Sequence, residues 1–436
     1  MPLPTFELEF TREGEVYDEG QRTQALDGAT GLTDLIVLAH GWNNDKADAK
    51  RLYDALCANV ERVLAADVVP DLSGRRFGVL RVFWPSKKFA DADLIPGGGA
   101  ASATQENDAA LLRLLEQMKS DPERLGSEGG NAARSSSIAA AQALVPRLDR
   151  EEAARREFVL HLRALLDPAG AHPDDGTQEF FTVDPLDIFE SFEEPVPAPA
   201  ATGGGGAAAL DGAGGAAGLG DLLSGVKAAA RRIANFASYY EMKQRAGTVG
   251  RSGLAPVLRQ LRERAPALRL HLVGHSFGGR LITAAAHSLP ARTPAVSMTL
   301  LQAAFSHNGL ASRFDEKNDG AFREVMSEAR ISGPIVITHT KNDRAVGIAY
   351  PLASRISRQQ ASALGDQDDP YGGMGRNGAQ HMGNEAQDGE LLAVGNAYTF
   401  APGRVFNLRA DDFIKDHSDV TGEQVAYALV AVTAAA

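Results

Sequence analysis

Apolar residues along the chain fall into short unbroken runs, separated by stretches in which they recur every three or four positions. The runs are Thr33 to Ala39 (TDLIVLA), Phe77 to Trp84 (FGVLRVFW), Leu268 to Val273, Ala295 to Gln302, Pro334 to Thr340 and Arg404 to Arg409. Runs of this length without polar alternation predict strands covered on both faces, as in a parallel sheet. The opening PTFELEF alternates enough to add another strand. Helical spacing fills most intervals, as in KADAKRLYDALCANVERVLAA after the first run. Strand and helix alternating in this way predict an α/β fold, with a mostly parallel central sheet flanked by helices.

The rhythm breaks between Pro85 and about residue 246. A crossover between parallel strands needs only a dozen or so residues, so most of this interval is surplus. TQENDAALLRLLEQMKS, REEAARREFVLHLRALL and VKAAARRIANFASYYEMKQRA predict helices, and EFFTVDPLDIFESFEEP interleaves phenylalanines with acids. PVPAPAATGGGGAAALDGAGGAAGLGD is a low-complexity tract, expected to be flexible. We expect a core of residues 1–90 and 246–436 and a large helical cap insertion over 91–245. A plain solubilising insertion is the alternative. A second surplus segment, Ser354 to about Leu392, is expected to wall a pocket.

Chemistry concentrates where the third run ends. Leu268 to Val273 drives into Gly274-His275-Ser276-Phe277-Gly278, and a small-residue helical pattern follows at once. Strand, sharp turn and helix make G-x-S-x-G a nucleophile elbow, in which side chains two before and two after the serine would clash. A serine hydroxyl needs an adjacent base, itself oriented by a third group. Asp343 lies just past the run PIVITHT and His417 in the loop after RVFNLR, the order Ser, Asp, His. Thr421-x-x-Gln424 reads as a capping box that keeps His417 out of the last helix. The negative oxygen of acyl transfer needs two donors. These are expected to be the backbone N–H groups of Phe277 and of Trp42, the latter in the loop His40-Gly41-Trp42. His339 reads as a core histidine, His381 has no strand end to position it, and Asp411, Asp412, Asp416 and Asp419 are weaker rivals for Asp343.

These features resemble the α/β-hydrolase family, particularly its lipase and esterase branches, over roughly residues 30–90 and 247–430. The resemblance implies an eight-stranded, mostly parallel sheet with the site at the strands' carboxyl ends. It also implies a serine acyl-enzyme mechanism without a cofactor, and a lid where the insertion lies. Trp42 and Asn43 follow the His-Gly pair where further glycines are common, resembling the branch with a short oxyanion loop.

Composition narrows the partners. A net charge of −12 argues against nucleic acid. Cys57 stands alone, so no intramolecular disulfide can form. No set of cysteines or H-E-x-x-H suggests a metal, and no phosphate-binding loop is visible. The first residues read as no signal peptide and no run is long enough to span a membrane, so a cytoplasmic protein is expected, with signal-less export as the alternative. The expected function is hydrolysis of a small-molecule or lipid carboxylic ester by Ser276, His417 and Asp343. Amide, thioester or lactone cleavage on the same residues, and a non-catalytic interaction module or effector, are the alternatives.

Overall fold

A computed structural model describes residues 2–86, 103–193, 225–292, 294–343 and 369–436. Eight strands form one sheet in the order β1-β3-β2-β4-β5-β6-β8-β7, and every pairing is parallel. They are β1 Thr5–Glu9, β2 Asp34–Ala39, β3 Phe77–Phe83, β4 Arg269–His275, β5 Ser297–Leu301, β6 Ile335–His339, β7 Ala386–Glu390 and β8 Val405–Arg409. The unbroken apolar run of β2 has a direct cause. Leu35, Val37 and Ala39 enter the hydrophobic core on one face of the sheet, while Ile36 and Leu38 enter the core on the other.

Helices α1 (Glu19–Gly28) and α2 (Lys46–Ala66) precede β3. The insertion contributes α3 (Ala103–Met118), α4 (Ala132–Leu144), α5 (Glu152–Arg163), α6 (Pro185–Glu193) and α7 (Val226–Thr248). A π-helical turn, Val249–Leu254, leads into α8 (Ala255–Arg264); α9 (Phe277–His287) follows β4, and α10 (Glu423–Ala434) follows β8. Helices α1, α8 and α9 cover one face of the sheet, and α2 with α10 covers the other. Helices α3 to α6 and the first half of α7 close a third hydrophobic cluster, in which Phe158, Phe180, Phe189, Phe192, Ile233 and Phe236 are buried. Phe180, Phe189 and Phe192 of EFFTVDPLDIFESFEEP are therefore core residues of the insertion, Phe181 is partly buried against them, and Glu190 of α6 is exposed. Helices α1, α4 and α6 carry no marked signal in the sequence.

Two expectations are corrected. The surplus segment before β8 contains β7, a strand whose sequence AQDGE has no apolar run. As the sheet edge it needs only backbone pairing, and its exposed acids discourage further strands from adding. The capping box at Thr421 does not form: the N-cap of α10 is Gly422, without a side-chain hydrogen bond. The Pro/Ala/Gly tract and residues 354–368 lie outside the described residues. No helix among the described residues is long and apolar enough to cross a membrane.

Candidate active site

The strand order reverses around β2 and β4. The chain runs from β2 outward to β3, then returns through the insertion to β4 on the other side of β2. Crevices outside the carboxyl ends of strands at such a reversal are where open parallel sheets bind ligands. The loops that leave β2 and β4 there are His40-Gly41-Trp42 and Ser276-Phe277.

Ser276 links β4 to α9 with φ 55° and ψ −125°, a conformation that costs a non-glycine residue about 1–3 kcal/mol. The turn leaves no room on either side. A Cβ on Gly274 would come within 2.3 Å of the Gly278 carbonyl oxygen, and one on Gly278 within 2.1 Å of the Ala39 carbonyl oxygen. The serine is thereby held at the end of β4, only 4% exposed, with its hydroxyl turned to His417.

His417 stands opposite, in the loop between β8 and α10. Its Nε2 lies 2.8 Å from Ser276 Oγ and its Nδ1 2.8 Å from Asp343 Oδ2. Asp343 is fully buried after β6, and the His417 side chain is 20% exposed. With Nδ1–H donating to the carboxylate, Nε2 is left as an acceptor for the serine proton. Burial works against the imidazolium, but the charge of Asp343 and its hydrogen bond outweigh it, so the His417 pKa lies above its ordinary value. An imidazolium formed by proton transfer is stabilised where it is formed.

Neighbouring groups brace these three. Asp411 accepts from Thr340 Oγ1 (2.7 Å) and Lys341 N–H (3.0 Å), and Asn342 Nδ2 donates to the Asp411 and Ile414 carbonyls. These bonds tie the Asp343 loop to the His417 loop. Asp416 Oδ1 accepts from the Ser418 and Asp419 N–H groups, closing the turn that carries His417. Asp412 is exposed, and Asp419 accepts from Lys415 N–H. None of the four replaces Asp343 at His417 Nδ1. His381 is exposed and its Nδ1 pairs with Asn308; His339 sits at the end of β6, where burial lowers its pKa.

One side chain at the site has a role that its place in the sequence only hints at. His275, the residue before the serine, is buried and its Nε2–H donates to the backbone carbonyl of His417 at 2.8 Å. Burial and the neighbouring His417 push its pKa down to about 3, so the ring is neutral. A histidine at the end of a buried strand, one residue from the serine, was the clue available.

The loop after β2 approaches the serine closely: a Cβ on Gly41 would lie 2.6 Å from Ser276 Cβ. The Gly41 carbonyl accepts from His40 Nδ1–H (2.9 Å) and Asn44 Nδ2 (3.1 Å). In a trans peptide the following N–H points the opposite way, which fixes the direction of Trp42 N–H. His40 Nε2 in turn accepts from Trp84 N–H at 3.3 Å, and burial lowers the His40 pKa to about 4. His40 is thus a neutral brace of this loop. Phe277 N–H heads α9, where the helix dipole favours a negative oxygen. The rings of Trp42, Tyr239 and Phe277 pack together over the serine loop, with centroids 4.9–6.3 Å apart.

A second Ser–His–Asp string lies at the opposite end of the sheet. His271 bridges Ser297 Oγ (2.8 Å) and Asp34 Oδ1 (2.9 Å), and Asp34 also pairs with Arg75. All three residues are essentially inaccessible to solvent. Ser297 and His271 stand within β5 and β4, and Asp34 begins β2, so the string stitches three strands together.

Among the described residues no group of three or more His, Cys, Asp or Glu is arranged to hold a metal ion. No protein-family model, curated protein or solved structure gives a match to this chain.

Proposed function

We propose that the protein is a serine hydrolase that cleaves a carboxylic ester, on an architecture resembling the α/β-hydrolase fold. The observation that carries this reading is the continuous string Ser276–His417–Asp343, both links 2.8 Å, with the serine in a positive-φ turn at the head of α9. The order of the central strands, β3-β2-β4-β5-β6-β8, supports the resemblance, since serine, acid and histidine follow β4, β6 and β8 in turn. The insertion between β3 and β4 is read as the cap.

Ser276 Oγ attacks the acyl carbonyl as its proton passes to His417 Nε2. The Phe277 and Trp42 N–H groups receive the oxyanion. The tetrahedral intermediate collapses, His417 gives its proton to the leaving alcohol oxygen, and an acyl-serine remains. Water then repeats the sequence, with His417 as base, and releases the acid. Trp42, Tyr239 and Phe277 supply an apolar wall beside the serine, which favours an apolar acyl group. Fluorophosphonate labelling and p-nitrophenyl ester hydrolysis, both lost in Ser276→Ala, are the expected results. A folded wild-type sample that neither labels nor turns over any ester would overturn the reading. Activity that declined as acyl chains lengthened, with no response to lipid interfaces, would remove the lipase-like form of it.

A further inference from the structure

Away from the serine, the insertion meets the back of α9 at a half-open cleft of about 140 Å³. Its walls come from the turn around Ala169–His172, from Arg251 in the π-helical segment, from Arg280, Ala284 and His287 on α9, and from Ala321–Phe322. Drug-sized ligands occupy pockets of roughly 300–1,000 Å³, so this one suits a single small polar group. Four of the lining side chains are basic.

The acids around the cleft are already committed. Asp174 Oδ1 pairs with His172 Nδ1 (2.9 Å) and its Oδ2 accepts from Ala321 N–H (2.9 Å). Glu324 pairs with His287 (3.1 Å), and buried Asp175 is taken by the ammonium of buried Lys243. Arg280 is only 6% exposed, its Nε donates to the Lys243 carbonyl at 3.0 Å, and its guanidinium lies 5.1 Å from the centre of the Phe322 ring. Arg251 packs on Gly247, where a Cβ would stand 3.0 Å from its Nη1. Among the described residues neither arginine makes an ion pair. Two guanidinium groups therefore face one cleft with no carboxylate in ion-pair contact with either, although the charge of Asp175 acts on Arg280 at longer range. Burial and the charge of Arg280 both lower the Arg251 pKa, the sign of two like charges held close together.

We propose that this cleft is a binding site for a phosphate-type oxyanion, held between the guanidinium groups of Arg251 and Arg280 with His172 and His287 at its rim. Planar guanidinium forks match tetrahedral oxyanions, and a doubly charged group relieves the repulsion between them. Either inorganic phosphate or the phosphate of a phosphorylated headgroup carries this chemistry. Ser276 is not among the lining residues, so the site stands independently of ester hydrolysis.

The test is calorimetric titration and thermal unfolding of the full chain at constant ionic strength, with inorganic phosphate, glycerol 3-phosphate and sodium chloride as probes. Wild type and Ser276→Ala should bind phosphate saturably, with a raised unfolding midpoint that chloride does not reproduce. Arg251→Gln, which breaks no ion pair and relieves the repulsion with Arg280, should unfold no earlier than wild type without phosphate and bind phosphate about tenfold or more weakly. Its ester turnover should match wild type. Tighter binding of glycerol 3-phosphate than of phosphate would assign the site to a headgroup, and the reverse to the free ion. No saturable phosphate effect in wild type, or an equal one in Arg251→Gln, overturns the proposal.

Discussion

His275 donates a hydrogen bond from Nε2–H to the main-chain carbonyl of His417, while the His417 ring faces the serine next to His275 in sequence. One end of β4 therefore holds the proposed base by its backbone and also presents the hydroxyl that this base would serve. His275 Nδ1, by contrast, has no hydrogen-bond partner among the described residues and lies against Gly41. Losing the donor should loosen His417 without removing any reacting group. His275→Leu should lower kcat about tenfold or more with KM little changed, consistent with loss of one positioning bond. His275→Gln, which keeps a donor near the Nε2 position, should recover much of the loss. Equal defects in both variants would mean that packing alone explains the residue.

Asp343 sets the tautomer of His417, and the direct consequence is a large rate effect with little change in fold. Asp343→Asn offers an amide that can donate to Nδ1 and so favours the wrong tautomer. Ester turnover should drop by about 10³–10⁴-fold, and fluorophosphonate labelling of Ser276 should slow in parallel. Labelling at the wild-type rate would show that the carboxylate does not orient the base.

The pH profile follows from the raised pKa of His417. In the proposed mechanism the neutral ring is the base, so activity is expected above that pKa and lost as pH falls through it. The acid limb of kcat/KM for an ester substrate should have its midpoint above 6.5. A midpoint well below 6.5 would mean that burial, and not Asp343, dominates the titration.

Stability should respond to acid in the same range for a different reason. His40, His275 and His307 are buried and neutral, with pKa values pushed down to about 4, about 3 and about 3. Below about pH 6.5 the unfolded chain takes up protons that these rings refuse. The folded state then loses up to about 1.4 kcal/mol per pH unit for each ring. His417 and His172 act in the opposite sense, since their raised pKa values stabilise the fold below pH 6.5 and cease to do so as pH rises. Burial also lowers the pKa values of His271 and His339, so the rings held neutral outnumber the two that are raised and set the direction of the response. Urea midpoints measured at pH 7 and pH 5 should differ, with the lower at pH 5; a midpoint that rises on acidification would contradict neutral burial of these histidines.

What could be read from the sequence was what burial writes into it. β2 and β4 are covered on both faces and read as apolar runs, whereas β7 has an exposed side-chain row and reads as loop. The serine, aspartate and histidine were found because each follows a buried strand, and the strand order brings those ends together. His275 escaped notice because its bond goes to a main-chain oxygen, 142 positions away in the chain, and no residue type encodes that. The failed capping box at Thr421 has a similar origin, since a glycine entering α10 met the backbone requirement without a side chain. The string Ser297–His271–Asp34 is equally silent in the sequence. It also separates geometry from chemistry: its links, 2.8 and 2.9 Å, are nearly as short as those at Ser276, but its serine lies within a strand and its histidine is 1% exposed, against 20% for the His417 side chain.

Trp42 packs both against the core beneath the sheet's α9 face and against the cluster formed by the insertion. One indole thus belongs to two hydrophobic bodies at once, and it sits on the loop that carries the proposed second oxyanion donor. Excising the insertion would strip a greasy surface bare and unseat that loop in the same stroke. The helical layer is consequently no detachable accessory: whatever disturbs it is felt, through a single aromatic plate, where the acyl carbonyl would dock.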